Sequence, residues 1–148
     1  MTPIIHKAEV KGKQGQNWLY TKEVKEHFFH PKNTFKSVEE EEEFEKNADG
    51  IGEVGSPACG DMMRMYIKVK DGIIVACRWK TFGCASAIAS TSILSEMVIG
   101  KTLDDARKIK PKDIVQKLKG LPQRKIHCSV LGDKALQKAI DNFEKKKR

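Results

Sequence analysis

The sequence contains no apolar run approaching the roughly 20 residues that a membrane-spanning helix requires, so no such helix is expected. Residues 1–17 also lack the apolar stretch of a secretory signal, which favours a cytoplasmic protein with no membrane partner. Because this opening stretch is polar, we expect a flexible N-terminal arm over residues 1–17 and a single domain over residues 18–148.

Cysteine is scarce, with four residues in 148, and no two of them form a C-x-x-C pair. That spacing excludes a thioredoxin-type motif and a zinc-ribbon knuckle. Two structural disulfides are not expected in a reducing cytosol. A metal site built from these cysteines must therefore be gathered from distant loops by the fold.

Positive charge predominates, but the basic residues are not clustered in the sequence. The net charge is +8, yet the lysines are spread along the chain, apart from the terminal run Lys145 to Arg148. The sequence has no RNA-binding aromatic motif, zinc-finger spacing or helix-turn-helix signal. We expect a solvated basic surface that suits an acidic protein partner, and no nucleic-acid partner.

The first half of the domain predicts one helix and a small sheet. Thr21 is a plausible cap for a helix that Pro31 ends, and the acidic run Glu39 to Glu43 is interpreted as a solvated loop or helix start without a functional role. Period-two alternation on either side of Asp71-Gly72 predicts a hairpin over residues 63–80. Its parity places four residues on the covered face: Ile73, Val75, Cys77 and Trp79. A third, shorter strand is expected around residues 51–54.

The second half is helical. The almost uncharged segment Ala85–Ile99 predicts a buried helix that Gly100 stops. Thr102 begins a short helix through about residue 109, Pro111 begins another, and a last helix runs from about Ser129. Strands followed by helices predict an α+β fold, a small three-stranded antiparallel sheet with helices packed on one face.

Three cysteines lie where a thiolate is favoured. Cys59 is held in a Pro/Gly turn two residues before Asp61, whose carboxylate can reach the same metal. Cys84 marks the change from strand to buried helix, and Cys128 lies at another helix start beside His127. Helix N-termini stabilise thiolates, and the recurrence points to one shared site.

Cys77 differs because its strand parity places it in the core. Three thiolates with an oxygen or imidazole suit either Zn²⁺ or an iron–sulfur cluster, and the residues alone do not separate the two. An incomplete thiolate set favours a labile site. A structural zinc site remains the alternative.

Several segments closely resemble the iron–sulfur cluster scaffold family of the IscU and NifU N-terminal type. They are Gly52 to Gly55 with Cys59-Gly60-Asp61, Lys80 to Ser90, Leu121-Pro122 with Lys125 to Ser129, and Tyr20 to Asn33. The resemblance covers nearly everything from about Trp18 onward.

The resemblance implies a scaffold rather than an enzyme. Such a protein receives persulfide sulfur from a cysteine desulfurase, combines it with iron and electrons from ferredoxin or another donor, and passes a [2Fe–2S] cluster to apo-proteins. Cys59, Cys84 and Cys128 would be its ligands, with Zn able to substitute for iron. Cys128 would accept the persulfide, and Asp61 would tune lability or bind iron.

The resemblance also bears on assembly and partners. His127 would be an alternative fourth ligand, and Tyr20 matches an aromatic residue of the family's dimer contact, which implies a cluster-bridged homodimer. The family's chaperone-binding stretch reads Leu-Pro-Pro-Val-Lys, whereas this chain has Gln123-Arg124 before Lys125. That departure argues against recognition by a dedicated Hsp70-type chaperone.

Overall fold

The computed structural model describes residues 20–56, 61–121 and 127–147, and the side chains of Ser56, Asp61, residues 127–129 and Lys147 lie outside that description. The predicted arm over residues 1–17 is likewise outside the described residues. The elements follow the order α1 Lys22–Phe29, α2 Val38–Asn47, β1 Gly50–Ser56, β2 Asp61–Lys70, β3 Ile73–Phe82, α3 Ala85–Val98, α4 Leu103–Arg107, α5 Pro111–Lys117 and α6 His127–Lys147.

The three strands form one antiparallel sheet in the order β1-β2-β3. Ser56 pairs with Asp61 across β1 and β2, and Met62 pairs with Phe82 across β2 and β3. Asp71 and Gly72 both have positive φ, as a tight hairpin turn requires. The predicted sheet and its hairpin are confirmed.

The predicted parity of β3 is wrong at its beginning. Lys68 pairs with Ala76 but Val69 pairs with Ile74, so β3 has one extra residue at Val75. This bulge reverses the alternation that precedes it. Ile74 is completely buried, whereas Ile73 is 38% and Val75 is 49% exposed. Beyond the bulge, Cys77 and Trp79 lie in the core as predicted.

Helices α3 and α6 cover one face of the sheet, where the core lies. Most of α3 is buried, as its lack of charge predicts. At Gly132 in α6, a Cβ atom would lie 3.4 Å from Leu94 of α3 and 3.9 Å from Met63 of β2, so both helices and the sheet meet there. Leu136, Ala139 and Ile140 are fully buried, as the helical spacing predicts.

The predicted helix ends are largely confirmed. Thr21 and Thr102 cap α1 and α4 by accepting hydrogen bonds from backbone amides. Helix α4 ends at Arg107, somewhat before the expected residue 109, and α6 begins at His127 rather than Ser129. The α+β class with a three-stranded antiparallel sheet is confirmed.

The opposite face of the sheet carries α2, which contains the acidic run. The Tyr66 hydroxyl donates to Glu41, and Lys80 pairs with the same carboxylate. The run is therefore helical and contacts the sheet, whereas the sequence favoured a solvated segment. No helix within residues 20–56, 61–121 and 127–147 is both long and apolar enough to cross a membrane.

Candidate cluster-binding site

Cys84 lies at the junction between β3 and α3, where the sequence places it. β3 ends at Phe82, and Gly83 has φ of +155°, a conformation that favours glycine and lets the chain turn into the helix. Cys84 is the N-cap residue of α3, with extended backbone angles, and its side chain accepts no capping hydrogen bond from a helix amide. The half-buried thiol therefore lies at the positive end of a helix of 14 residues.

Contacts on both sides hold this junction in place. The Thr81 hydroxyl lies 3.2 Å from the Thr91 hydroxyl, which itself donates to the carbonyl of Ala87. The Cys84 carbonyl accepts from the amide of Ile88 and closes the first turn of α3. Both the strand end and the helix start are thus fixed against each other, so the thiol has a defined position.

Cys77 is excluded from any such site. Its side chain is 1% exposed and belongs to the hydrophobic core. Burial raises the pKa of the Cys77 thiol to about 12, so the thiolate form needed for metal binding is strongly disfavoured. The prediction that Cys77 is a core residue is confirmed.

The ends of three elements lie at one edge of the sheet. Because Ser56 pairs with Asp61 and Met62 pairs with Phe82, the end of β1, the start of β2 and the end of β3 are neighbours. Residues 57–60 connect the first two, and Cys84 follows the third within two residues.

The start of α6 lies at the same edge. A Cβ on Gly50 would meet the Ala139 carbonyl, and one on Gly52 would meet the Ala135 carbonyl. As the residue number rises in β1 it falls in α6, so the two elements run antiparallel. Two strand residues and four helix residues both span about 6 Å, so the pairing keeps the same register along their length. Continuing this register brings Ser56 level with His127. The backbone segments that border or carry Cys59, Cys84 and Cys128 therefore converge.

Among the predicted site residues, Cys84 is the one whose side chain is described. Cys59 lies outside the described residues, as do the side chains of Asp61, His127 and Cys128. Where side chains are described, no three His, Cys, Asp or Glu residues come together as a metal-binding group. The ligand set predicted from the sequence is thus a prediction that still requires a test.

A buried histidine near α3 was given no role by the sequence. His27 Nδ1 lies 2.7 Å from the Ser92 hydroxyl, which accepts a hydrogen bond from the Lys32 amide. Its Nε2 is 3.6 Å from a Glu96 carboxylate oxygen. Burial lowers the pKa of His27, and Lys32 adds to this, whereas Glu96 and Glu26 oppose it. The ring joins α1 to α3; its partners are 65 and 69 residues further along the chain, so no local pattern indicates it.

The comparisons with known proteins agree with this architecture. The profile of the NifU-like N-terminal domain family matches residues 19–148. The iron–sulfur cluster assembly scaffold protein IscU of Escherichia coli K12 is 44% identical over 131 residues, which cover 86% of this chain and 96% of that protein. The nitrogen fixation protein NifU of a Nostoc species is 52% identical over 128 residues, but this chain covers 42% of its length.

Solved structures support the same fold. The N-terminal part of a NifU-like protein from Brucella abortus superposes with a TM-score of 0.65 at 20% identity, covering 86% of this chain and 96% of that one. A protein from the thermophile Fervidobacterium islandicum gives a TM-score of 0.64 at 21% identity over 85% of this chain and 99% of that one. At these identities the likeness concerns the fold.

The architecture is thus that of a small α+β domain with a cysteine-bearing edge formed by strand ends and helix starts. The chain belongs to the NifU-like N-terminal domain family, which includes the IscU scaffold proteins.

Proposed function

We propose that this protein is a scaffold on which a [2Fe–2S] cluster is assembled in the cytoplasm and then transferred to apo-proteins. The convergence at one sheet edge of the described segments that border or carry the three cysteines supports the proposal, because a shared site needs this topology. The names of its IscU relatives describe scaffolds for iron–sulfur cluster assembly, which supports the same function.

In this proposal Cys59, Cys84 and Cys128 supply thiolate ligands to the cluster, which is the cargo. Asp61 supplies an oxygen ligand or tunes lability, and His127 is the alternative in the fourth position. Soft thiolates select iron–sulfur clusters and also Zn²⁺, so zinc can occupy the same site. A position filled by a weak ligand eases release, which suits a scaffold better than a permanent cofactor site.

Cys128 is the proposed persulfide acceptor. Its thiolate attacks the outer sulfur of a persulfide on a cysteine desulfurase, the S–S bond of that persulfide breaks, and the desulfurase thiolate leaves. Two electrons from ferredoxin or another donor then reduce the transferred sulfur to sulfide and regenerate the Cys128 thiolate. The cluster is built on the protein and then handed on as cargo, so the protein acts as a scaffold and carrier and not as a conventional enzyme.

A homodimer bridged by the cluster is part of the proposal. Tyr20, which resembles a dimer-contact residue, is half-buried and packs against the core of its own chain. The dimer is therefore expected to depend on cluster loading, which gel filtration of the apo and loaded protein measures. Hsp70-type chaperone recognition is not expected, because of the sequence around residues 123–124.

The test is anaerobic reconstitution with a cysteine desulfurase, cysteine, Fe²⁺ and reductant, followed by transfer to an apo-ferredoxin. Visible absorption should appear and then move to the ferredoxin. Cys59→Ala, Cys84→Ala and Cys128→Ala should each lose most of the colour, while the matched variant Cys77→Ala keeps it. Loss of colour in Cys77→Ala with an intact fold contradicts the ligand assignment.

A purely structural zinc site predicts a different result. Metal binding at such sites supplies the folding free energy, so chelation would unfold the chain. The described core packs two helices against the sheet through buried apolar side chains. We therefore expect the circular dichroism spectrum to survive chelation, with a lower melting temperature. Unfolding on chelation would favour the structural site instead.

A further inference from the structure

The sheet face opposite the core carries an unusual concentration of positive charge. We define this cationic face as Tyr66 and the four basic side chains around it: Arg64, Lys68, Arg78 and Lys80. Arg64 and Lys80 are direct cross-strand partners, as are Tyr66 and Arg78. Like charges placed opposite each other repel, so this face needs an acidic cover.

Helix α2 supplies that cover. Arg78 lies 2.9 Å from Glu40, Lys80 lies 2.8 Å from Glu41, and Arg64 lies 3.2 Å from Glu45.

Glu41 also accepts the Tyr66 hydroxyl at 2.5 Å. Burial alone would raise the pKa of Glu41, but the hydrogen bonds from Lys80 and Tyr66 lower it. The Glu41 carboxylate therefore stays ionised beside Lys80.

Aromatic contacts complete the cover. The ring centroids of Phe35 and Phe44 lie 5.2 and 6.3 Å from that of Tyr66, each nearly perpendicular to it. Lys68 Nζ lies 4.6 Å from the Phe44 centroid, and Arg78 Cζ lies 4.7 Å from that of Phe35. Tyr66 is thereby fully buried. The cationic face thus recognises both carboxylates and phenyl rings.

The cover itself is weakly held. No residue of α2 is buried, and two of its three ion pairs have well-exposed carboxylates, with Glu40 39% and Glu45 42% exposed, whereas Glu41 is 14% exposed. Exposed ion pairs contribute little and are screened by salt. Glutamates at i,i+4 spacing in α2 also repel each other, which offsets part of the stabilisation that the Ser37 N-cap provides.

The ends of this segment are fixed independently of its helix. Thr34 bridges to Trp79 and donates its hydroxyl to the Trp79 carbonyl, before α2 begins. After α2 ends, Asp49 donates its amide to Ile67 and accepts from the amide of Val69. The stretch between these anchors can therefore leave the sheet without unfolding the rest.

We propose that α2 is a displaceable cover, and that the cationic face is a docking surface for an acidic, phenylalanine-bearing helix of a protein partner. The chemistry of α2 identifies that partner, because α2 shows which groups this face accepts. This surface lies on the opposite side of the sheet from α3 and α6, and its test requires no cluster.

The experiment compares two triple variants that remove the same charge from the same helix. Glu40→Gln, Glu41→Gln and Glu45→Gln remove the carboxylates that face the sheet. Glu39→Gln, Glu42→Gln and Glu43→Gln remove exposed carboxylates that form no ion pair with the described residues. Hydrogen exchange of residues 38–47 should accelerate at least tenfold in the first variant only, with α3 unchanged.

Binding is then measured with a labelled synthetic peptide of residues 34–47. At low salt it should bind the sheet-facing variant at least tenfold more tightly than the wild-type chain. A peptide carrying the same three Gln substitutions should not bind, and salt should weaken the wild-type peptide. Equal protection of α2 in both variants, with no peptide binding, overturns the proposal.

Two further outcomes keep the proposal testable. If the sheet-facing variant fails to fold, the wild-type chain in rising salt replaces it, and exchange in α2 should increase selectively. Uniform protection at all salt concentrations overturns the displaceable cover. Tighter binding of a single-stranded oligonucleotide than of the peptide overturns the assignment of an acidic protein partner.

Discussion

A Cβ atom on Gly52 would lie 2.2 Å from the carbonyl oxygen of Ala135, so the absence of a side chain lets β1 approach α6 closely. The same Cβ atom would lie 2.4 Å from the amide nitrogen of Ala139. Both neighbours are backbone groups of one helix and cannot turn away. This close approach sets the register by which the start of α6 reaches the cysteine-bearing edge.

Gly52→Ala is therefore expected to lower the free energy of unfolding by about 2–3 kcal/mol, because the strand and helix must separate. Urea unfolding followed by circular dichroism measures it. The matched control is Gly132→Ala within α6, where the new Cβ makes an ordinary contact at 3.4 Å. That change should be neutral or stabilising by up to about 1 kcal/mol. Equal losses would contradict the close approach.

The bulge at Val75 gives a second test. Ile74→Thr places a hydroxyl in the core and removes apolar contacts, so we expect a loss of about 2–4 kcal/mol. Val75→Thr changes a half-exposed side chain and should stay within about 0.5 kcal/mol. The two melting temperatures measure the difference. The parity predicted from the sequence requires the opposite order.

These two positions show how far the sequence determines the fold. Alternation and turn residues predict β2 and β3, and helical spacing and cap residues predict every described helix except α2, because these patterns depend on neighbours within a few residues. The bulge at Val75 was not predicted, because one extra residue reverses the strand parity without changing the local composition. Strand register is set by the whole sheet and its covering helices.

The features around the candidate site were likewise only partly predictable from the sequence. Cys84 could be placed because a helix N-terminus is visible in the sequence, and Cys77 because strand parity buries it.

The contact of α2 with the sheet was missed, although its signal was present in the cations at residues 64, 68, 78 and 80. Recognising it required knowing that a segment 20–40 residues earlier folds back over them.

The environment of Cys77 predicts its reactivity. With the other three cysteines replaced by serine, the folded chain should react with a thiol reagent at pH 8 at well below a tenth of the rate seen in denaturant. Burial both blocks access and raises the pKa of the thiol to about 12. Absorbance during labelling with Ellman's reagent measures the rate. Rapid labelling of the folded chain would contradict the core assignment.

His27 makes stability depend on pH in a defined window. Burial lowers the pKa of His27 below its ordinary value of 6.5, so the unfolded chain binds a proton more readily than the folded one. Well above pH 6.5 His27 is neutral in both states, so it does not change the stability there. As pH falls below 6.5, stability should decline by at most about 1.4 kcal/mol per pH unit from this group.

The comparison variant is His27→Asn, whose side-chain oxygen can accept the Ser92 hydroxyl in place of Nδ1 but does not titrate. Urea unfolding between pH 7.5 and 5.5 should fall more steeply for the wild-type chain than for the variant. The window lies above the range of carboxylates such as Glu40 and Glu41, whose pKa values are lowered. Parallel curves for the two proteins would show that His27 binds protons equally in the folded and unfolded states, which would contradict the lowering of its pKa by burial.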